Sequence, residues 1–434
     1  MNRRTLIKGL AATATLPLLS GCGFWRIDKW HYLVRSDIIK NAAQEREIVS
    51  KAKLTWSEDG KVRILYVRGT PYERGYQHGA LLQQEVEDNI GYLYKQALKK
   101  FPVPELFDEV YERMSPFIPQ AYKDEMRGLA HGARVPLRMI QHIHILPDIG
   151  EWGGKKHIVN VIKSMMRGDD LDLWGTSCSN FAVKGSSSAD GGFYPVRILD
   201  WGLHRISRLH EYPLINVSFP EDGVPNANIG WVGFLGAVSG MNAQGITLGE
   251  MGYGNPEGEV LSGIPLCFML REVLTHAKKL EDARAIIRDS VGTSSYVFLI
   301  GDGKVQRSEF YIKDRNRFLV FKEGERIEDT LTLKDKHGEP KYKKTSIDPI
   351  ENIQYGGHYL DKMKELLTLN KGRLTPEVIT KEIIPNIGMP SNFQNVVYDP
   401  VRLEFWVSNA ADTSSRAAEG EYTRVSLKEA FAGR

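Results

Sequence analysis

The 434-residue chain predicts an α+β fold in which two sheets pack face to face and carry helices on their outer sides. Three observations lead there. Apolar residues recur every three or four positions through most of the first 175 residues. From Asn180 the period changes to two, or to short apolar runs, and two helical segments then interrupt the strands before they resume. That order lets each sheet bury one face against the other sheet and its second face under helices.

The elements follow in chain order. After the strand-like KVRILYVRG (Lys61 to Gly69), the residues Tyr72, Tyr76, Gly79, Leu82, Val86, Ile90, Leu93 and Ala97 fall at helical steps. They predict one long amphipathic helix over residues 71–100, with Pro71 in the first turn, where its missing N–H costs nothing. ELFDEVYERM, PQAYKDEMRGLAHGA and PLRMIQHIHIL continue the helical period. NFAVKG, FYPVRILDW, YPLINVSF, IGWVGFLGAVSG and GITLGEMG read as strands separated by Gly, Ser, Asp and Pro. IPLCFMLREVLTHAKK and LEDARAIIRDS are the two interrupting helices, followed by the strands SSYVFLIGDG, VQRSEFYIK and RFLVFKEG. Residues 357–385 read as helical and FQNVVYDPVRLEFWVSN as a closing hairpin. Residues 23–60 show little periodicity and read as a leader.

The N-terminus, MNRRTLIKGLAATATLPLLSGC, has a basic head at Arg3, Arg4 and Lys8 and an apolar run from Leu10 to Leu19. The run is well short of the ~20 residues that cross a bilayer, so residues 1–21 read as a secretion signal. Leu19-Ser20-Gly21-Cys22 matches a bacterial lipobox, which makes Cys22 the lipidated first residue of the exported chain. Arg3-Arg4 with Leu6, Ile7 and Lys8 also fits a twin-arginine export signal. The expected address is the bacterial cell envelope, with the lipid as the membrane contact.

A net charge of +3, with 42% hydrophobic and 10% aromatic residues, suits a sizeable globular core. No basic stripe interleaved with aromatics appears, which argues against a nucleic-acid partner. The densest basic run, LKDKHGEPKYKKTS, reads as a solvated loop.

With Cys22 assigned to lipid, only Cys178 and Cys267 remain among the three cysteines. Cys178, in GTSCSNFAV, is a buried small residue, half of a disulfide with Cys267, or a nucleophile. Cys267 lies in an apolar helix and reads as core. Walker loops, G-x-S-x-G, HExxH and paired CxxC units are absent from the sequence. His142 and His144 stand two apart in a helical pattern, where alternate residues diverge, so they do not read as a metal pair. A papain-like thiol with His204 or His210 as base would sit at a helix start, whereas the residues after Cys178 alternate like a strand.

A cysteine heading a strand permits another base. Cutting the Ser177–Cys178 bond would give Cys178 a free α-amine, whose pKa of about 7.7 to 8 suits proton transfer near neutral pH. The thiol can make this cut itself by an N-to-S acyl shift followed by hydrolysis. GSSSADGG (Gly185 to Gly192) can reverse the chain, so Cys178 falls opposite the region from Arg197 to Asp200. Arg197 would stabilise thiolate and Asp200 would orient the ammonium. Positions 197 and 200 face opposite sides of a regular strand, so a bulge or bend is required there.

Several motifs in common order carry a resemblance: GTPYERGYQHGALL, IPQAYKDEMRGLAHGA, CSNFAV with DGGFYPVRILDW, SGMNAQGITLGE, GIPLCFMLREVL and SNFQNVVYDP. Over residues 60–430 the chain resembles the autoproteolytic cysteine acyltransferase/hydrolase group that includes isopenicillin N acyltransferase, within the N-terminal-nucleophile hydrolases, and more distantly the choloylglycine hydrolases. The resemblance implies an αββα sandwich, a mostly helical segment at 61–177 and a catalytic segment at 178–434, split between Ser177 and Cys178. It implies Cys178 as the nucleophile, Arg197 and Asp200 as the R-x-x-D-W pair, and Asn242 as an oxyanion donor through its backbone N–H. Asn392 is a candidate substrate or oxyanion residue, and Gln394 stands where a histidine is common. A second family asparagine has no counterpart in the stretch Ser294, Ser295 and Tyr296. Glu250, Tyr253 and Glu309 are further candidates for a pocket wall.

The expected reaction is hydrolysis of a linear amide through a thioester on Cys178, without a cofactor or metal. The two segments would stay together by packing alone. Acyl transfer to an amine, and a non-catalytic envelope lipoprotein that keeps the fold, are the alternatives.

Overall fold

The computed structural model describes residues 38–100, 103–154, 178–252, 260–325, 332–334, 340–342, 347–357 and 359–432. Residues 1–21, read above as a secretion signal, and Cys22, Ser177 and Tyr253 lie outside the described residues.

The strands in chain order are β1 (Lys53–Trp56), β2 (Arg63–Gly69), β3 (Ser179–Gly185), β4 (Gly191–Asp200), β5 (Pro213–Pro220) and β6 (Asn226–Trp231). Next come β7 (Gly240–Asn242), β8 (Ile246–Gly252), β9 (Tyr296–Asp302), β10 (Arg307–Lys313), β11 (Phe318–Phe321), and a small hairpin of β12 (Thr332–Lys334) and β13 (Pro340–Tyr342). The last are β14 (Ile347–Ile350), β15 (Ile353–Gly357), β16 (Asn392–Asp399), β17 (Glu404–Asn409) and β18 (Thr423–Ser426). One sheet of nine strands runs β1-β2-β5-β6-β7-β8-β9-β10-β11, and a second of seven runs β14-β15-β3-β4-β16-β17-β18. Every pairing in both is antiparallel except β2 with β5, which is parallel.

The longer helices among the described residues are α1 (Ala42–Ser50), α2 (Pro71–Leu81), α3 (Tyr92–Lys100), α4 (Pro104–Met114), α5 (Gln120–Ala133), α6 (Leu137–Gly154), α7 (Leu266–His276), α8 (Leu280–Asp289) and α9 (Leu360–Leu369). Alternation along the strands explains the layers. Ile215, Val217, Ala227 and Ile229 of the larger sheet cluster with Val396, Tyr398, Phe405 and Val407 of the smaller one, forming part of the layer between sheets. Phe181, Val183, Tyr194, Val196 and Ile198 turn the other way, under Met363 and Leu367 of α9 and the isoleucines at 379, 383, 384 and 387. Helices α7 and α8 cover the outer face of the larger sheet. The predicted sandwich is thus the observed architecture.

Helices α2 and α5 cross at backbone contact because each presents two glycines four residues apart. A Cβ at Gly75 would overlap Glu125 O, and one at Gly128 would overlap Tyr72 O. Gly79 and Gly132 meet Leu129 O and Tyr76 O in the same way. The motifs GYQHG and GLAHG therefore encode a helix crossing. The buried carboxylate of Glu125 is held there by Arg74 at 3.2 Å and by Arg271 of α7 at 3.0 Å.

Three local expectations need correction. The single helix over 71–100 is interrupted at Leu82 (φ −130°, ψ 35°) and by a π-turn over Glu87–Gly91. Leu82, Val86, Ile90, Leu93 and Ala97 nevertheless all stay buried, so the apolar spacing conceals the break. The leader is partly structured, since α1 and β1 form within it and β1 is an edge strand pairing with β2. IGWVGFLGAVSG is not one strand: β6 ends at Trp231 and a buried loop precedes β7.

Candidate active site

Cys178 stands immediately before β3. The β3–β4 hairpin pairs Ser179 with Ile198 and Asn180 with Arg197, so the next step of the ladder sets Cys178 opposite Leu199. Cys178, Ala182, Phe193 and Leu199 belong to the large central cluster, on the face opposite to that of Phe181 and Val196. On the other side, Gly357 of β15 pairs with Ser179 at φ +135°. A Cβ there would come within 2.5 Å of Ser179 Cα and 2.7 Å of Cys178 O, so glycine is what lets β15 close on the cysteine.

Arg197 is completely buried, and its guanidinium donates to Glu250 Oε1 at 2.5 Å and to Ile198 O at 2.8 Å. Cys178 is 3% exposed. Burial pushes its thiol up to about 12, Arg197 pulls it down, and Glu250 and Asp200 oppose Arg197. Asp200 accepts from Asn392 Nδ2 at 2.8 Å and from Met389 N at 3.1 Å, while its Oδ2 has no partner among the described residues. Burial pushes the Asp200 carboxyl up to about 7. The expected bulge or bend between Arg197 and Asp200 is not seen in β4, which runs on as a strand to Asp200; the bulge lies in the neighbouring strand β16, where Asn392 pairs with Asp200 and Gln394 with Leu199, leaving Phe393 unpaired.

The structure brings Arg197 to the Cys178 thiol as a hydrogen-bond partner, sets the Asp200 charge within its reach, and joins Asn392 to Asp200. It does not bring Asn242. Gly240 pairs with Leu248, so Asn242 lies level with Ile246, four residues from Glu250, or about 13 Å along the strands. Its amide donates to Leu274 O and Ala277 O and accepts from Gln244 N and Ile246 N, tying the end of α7 to the β7–β8 turn. Gln394 Nε2 donates to Asn409 Oδ1 at 3.0 Å. The Ser294-Ser295-Tyr296 stretch reaches the Cys178 end of the larger sheet, because Tyr296 pairs with Gly252, two residues beyond Glu250.

Glu309 is bound by Arg284 and by the Tyr311 hydroxyl at 2.7 Å, apart from this group. His204 stacks on Phe393 at 5.2 Å. His142 takes Asp108 at 2.9 Å and Tyr94 at 3.1 Å. Cys178 and Cys267 are both free thiols, and Cys267 Sγ lies 3.4 Å from His144 O.

Sequence reasoning missed the loop between β6 and β7. Asn89 of the π-turn donates to Val232 O at 2.8 Å, and Asn228 donates to Gly236 O at 2.8 Å. Gly233 N donates to His78 Nε2 at 2.9 Å, and Leu235 N donates to His144 Nε2 at 2.8 Å. Arg271 binds Leu235 O, and Ala237 N donates to Cys267 O at 2.9 Å. A buried loop needs such partners for its backbone groups, and here five helical or turn residues supply them.

Because both histidines accept at Nε2, they must be neutral, and burial pushes each down to about 4. Between about 4 and the unfolded value of 6.5 the unfolded chain binds the extra protons, so stability is full above that window and falls as pH drops through it. His142 and His204 are displaced the same way, and Asp200 opposes them. Unfolding free energies from urea titrations at pH 7 and pH 5 should differ by a few kcal/mol, with an upper slope of roughly 2.7 kcal/mol per pH unit for the two loop histidines, and the midpoint should fall accordingly at pH 5. Equal midpoints would contradict this.

The two layered sheets with helices outside form the αββα sandwich that the resemblance to N-terminal-nucleophile hydrolases implies. Residues 227–328 match the family described as acyl-coenzyme A:6-aminopenicillanic acid acyl-transferase, which bears out the resemblance read from the motifs. The chain is 26% identical over 257 residues to an uncharacterised protein of Archaeoglobus fulgidus, covering 56% of this chain and 41% of that one. It is 24% identical over 275 residues to protein dcd1A of Dictyostelium discoideum, covering 57% of each. The chain thus spans about half the length of the curated relatives it matches. Among solved structures, the Caenorhabditis elegans ortholog of N-acylethanolamine-hydrolyzing acid amidase aligns at a TM-score of 0.37 and 12% identity, over 52% of this chain and 93% of that one.

Proposed function

We propose that this protein is a lipid-anchored N-terminal-cysteine amidohydrolase of the bacterial cell envelope, activated by cleavage between Ser177 and Cys178. The observation that carries the reading is the grouping of Cys178, at the head of β3, with Arg197 and with the Asp200–Asn392 pair at the end of β4. In the first reaction Cys178 Sγ bonds to the carbonyl carbon of Ser177, the Ser177–Cys178 C–N bond breaks, and the nitrogen takes the thiol proton. Water then hydrolyses the thioester, leaving a Ser177 carboxylate and a free Cys178 amine. The pieces would be a first segment ending at Ser177 and a catalytic segment over 178–434.

In turnover, the Cys178 amine receives the thiol proton as sulfur attacks a linear amide, and passes it to the departing amine. Arg197 favours the thiolate, and Asp200 holds the ammonium form of the terminus. The acyl thioester is released by water. Transfer to an amine is the second reading, supported by the description of the matching family; added amine would then divert product from acid to amide.

Intact mass tests the proposal. Wild type should give fragments beginning at lipidated Cys22 and at Cys178, Cys178→Ala a single chain, and amide hydrolysis should fall at least ~1,000-fold in the variant. An uncut wild type without thiol-dependent activity would sink it.

A further inference from the structure

The loop between β6 and β7 connects to the cysteine's surroundings through the residue that precedes it, the last of β6. Trp231 stacks on Phe393 with ring centroids 4.6 Å apart and planes 5° apart. Phe393 is the bulged residue of β16, between Asn392, which binds Asp200, and Gln394, which pairs with Leu199. His204 lies against Phe393 as well, at 5.2 Å. A shift of the loop therefore reaches the Asp200–Asn392 pair through two stacked aromatic rings.

Two of the loop's backbone donors end on imidazole lone pairs, those of His78 on α2 and His144 on α6. His144 is fixed by a second bond, from Nδ1 to Ile140 O at 2.7 Å. Gly233, at φ +86°, sits where a Cβ would overlap the side chain of Ile90. The loop has room for one placement, and helices preceding Cys178 in the chain set it.

We infer that His78 and His144 are positioning residues of the Cys178 centre, holding residues 232–235 so that Trp231 backs Phe393 against the Asp200–Asn392 pair. The inference rests on the reading of Cys178 as the nucleophile. It gives the helical segment a part in the reaction: the helices fix a wall of the site for an enzyme whose nucleophile lies in the other segment. His78 is the cleaner handle, because among the described residues only its Nε2 finds a partner, whereas His144 needs both ring nitrogens.

The test compares His78→Leu, His78→Gln and Gly233→Ala in the full chain, with acyl 4-nitroanilides as probe substrates and amide hydrogen exchange as the structural readout. His78→Leu should lower kcat/KM at least tenfold, raise exchange at residues 232–237 and leave exchange of the sheets unchanged. His78→Gln, whose Oε1 still accepts a backbone N–H, should stay within threefold of wild type. Gly233→Ala disturbs the same loop from its own side and should reproduce the loss, which covers the case of an unfolded His78→Leu. Faster loop exchange with kcat/KM within twofold of wild type would overturn the inference, as would equal losses in the Leu and Gln variants. A wild type lacking Cys178-dependent turnover would overturn the proposed function itself, and the inference with it.

Discussion

Arg197→Met is expected to abolish both self-cleavage and amide turnover and to cost about 3–5 kcal/mol of stability. The guanidinium is wholly buried and ion-paired to Glu250, so its removal leaves a carboxylate in the core without that cation. Arg197 is also the main group drawing the Cys178 thiol down against burial. The double variant Arg197→Met/Glu250→Gln separates the two roles. It should recover most of the stability, because no buried charge is stranded, and none of the activity. Urea midpoints and intact mass report the two quantities; a single variant that is cut normally at an unchanged midpoint would contradict both.

Gly128→Val should destabilise the protein by more than about 3 kcal/mol, above the usual range for an overpacked core. The added atoms would meet Tyr72 O and Tyr76 N, which are backbone and have no rotamer to retreat into. Helices α2 and α5 would have to separate, drawing Arg74 away from Glu125. Gly91→Ala supplies the control: nothing lies within 4 Å of its added Cβ, so that change should be neutral or stabilise by up to about 1 kcal/mol. Thermal midpoints that moved equally in the two variants would refute the crossing as the cause.

What could be read from the sequence was whatever periodicity or hairpin symmetry carries. The apolar steps from Tyr72 to Ala97 located a buried helical face but not the interruption at Leu82, since a break that keeps every apolar residue inward leaves the spacing intact. WVGFLGAV resembled a strand because a loop sealed by side chains from other elements has the composition of one. The symmetry of GSSSADGG was enough to set Cys178 beside Arg197 and Asp200. Glu250 acquired its role only in three dimensions, since it meets Arg197 from the other sheet across 53 positions. Asn242 shows the converse: its motif was plain, but the β7–β8 register that carries it away from the cysteine is invisible in one dimension.

The parallel pairing of β2 with β5 changes what a cut at Cys178 would mean. Arg63 to Gly69 lie in one continuous hydrogen-bonded register with Leu214 to Pro220, so the two pieces would share a sheet as well as a surface. They would come apart only when that sheet melts. Once melted, they would have to find each other by collision, at a rate set by concentration, and the lipid would be on only one of them. Such an enzyme is assembled once as a single chain and afterwards kept rather than remade: its working life would be set by how slowly it unfolds, not by how well it refolds.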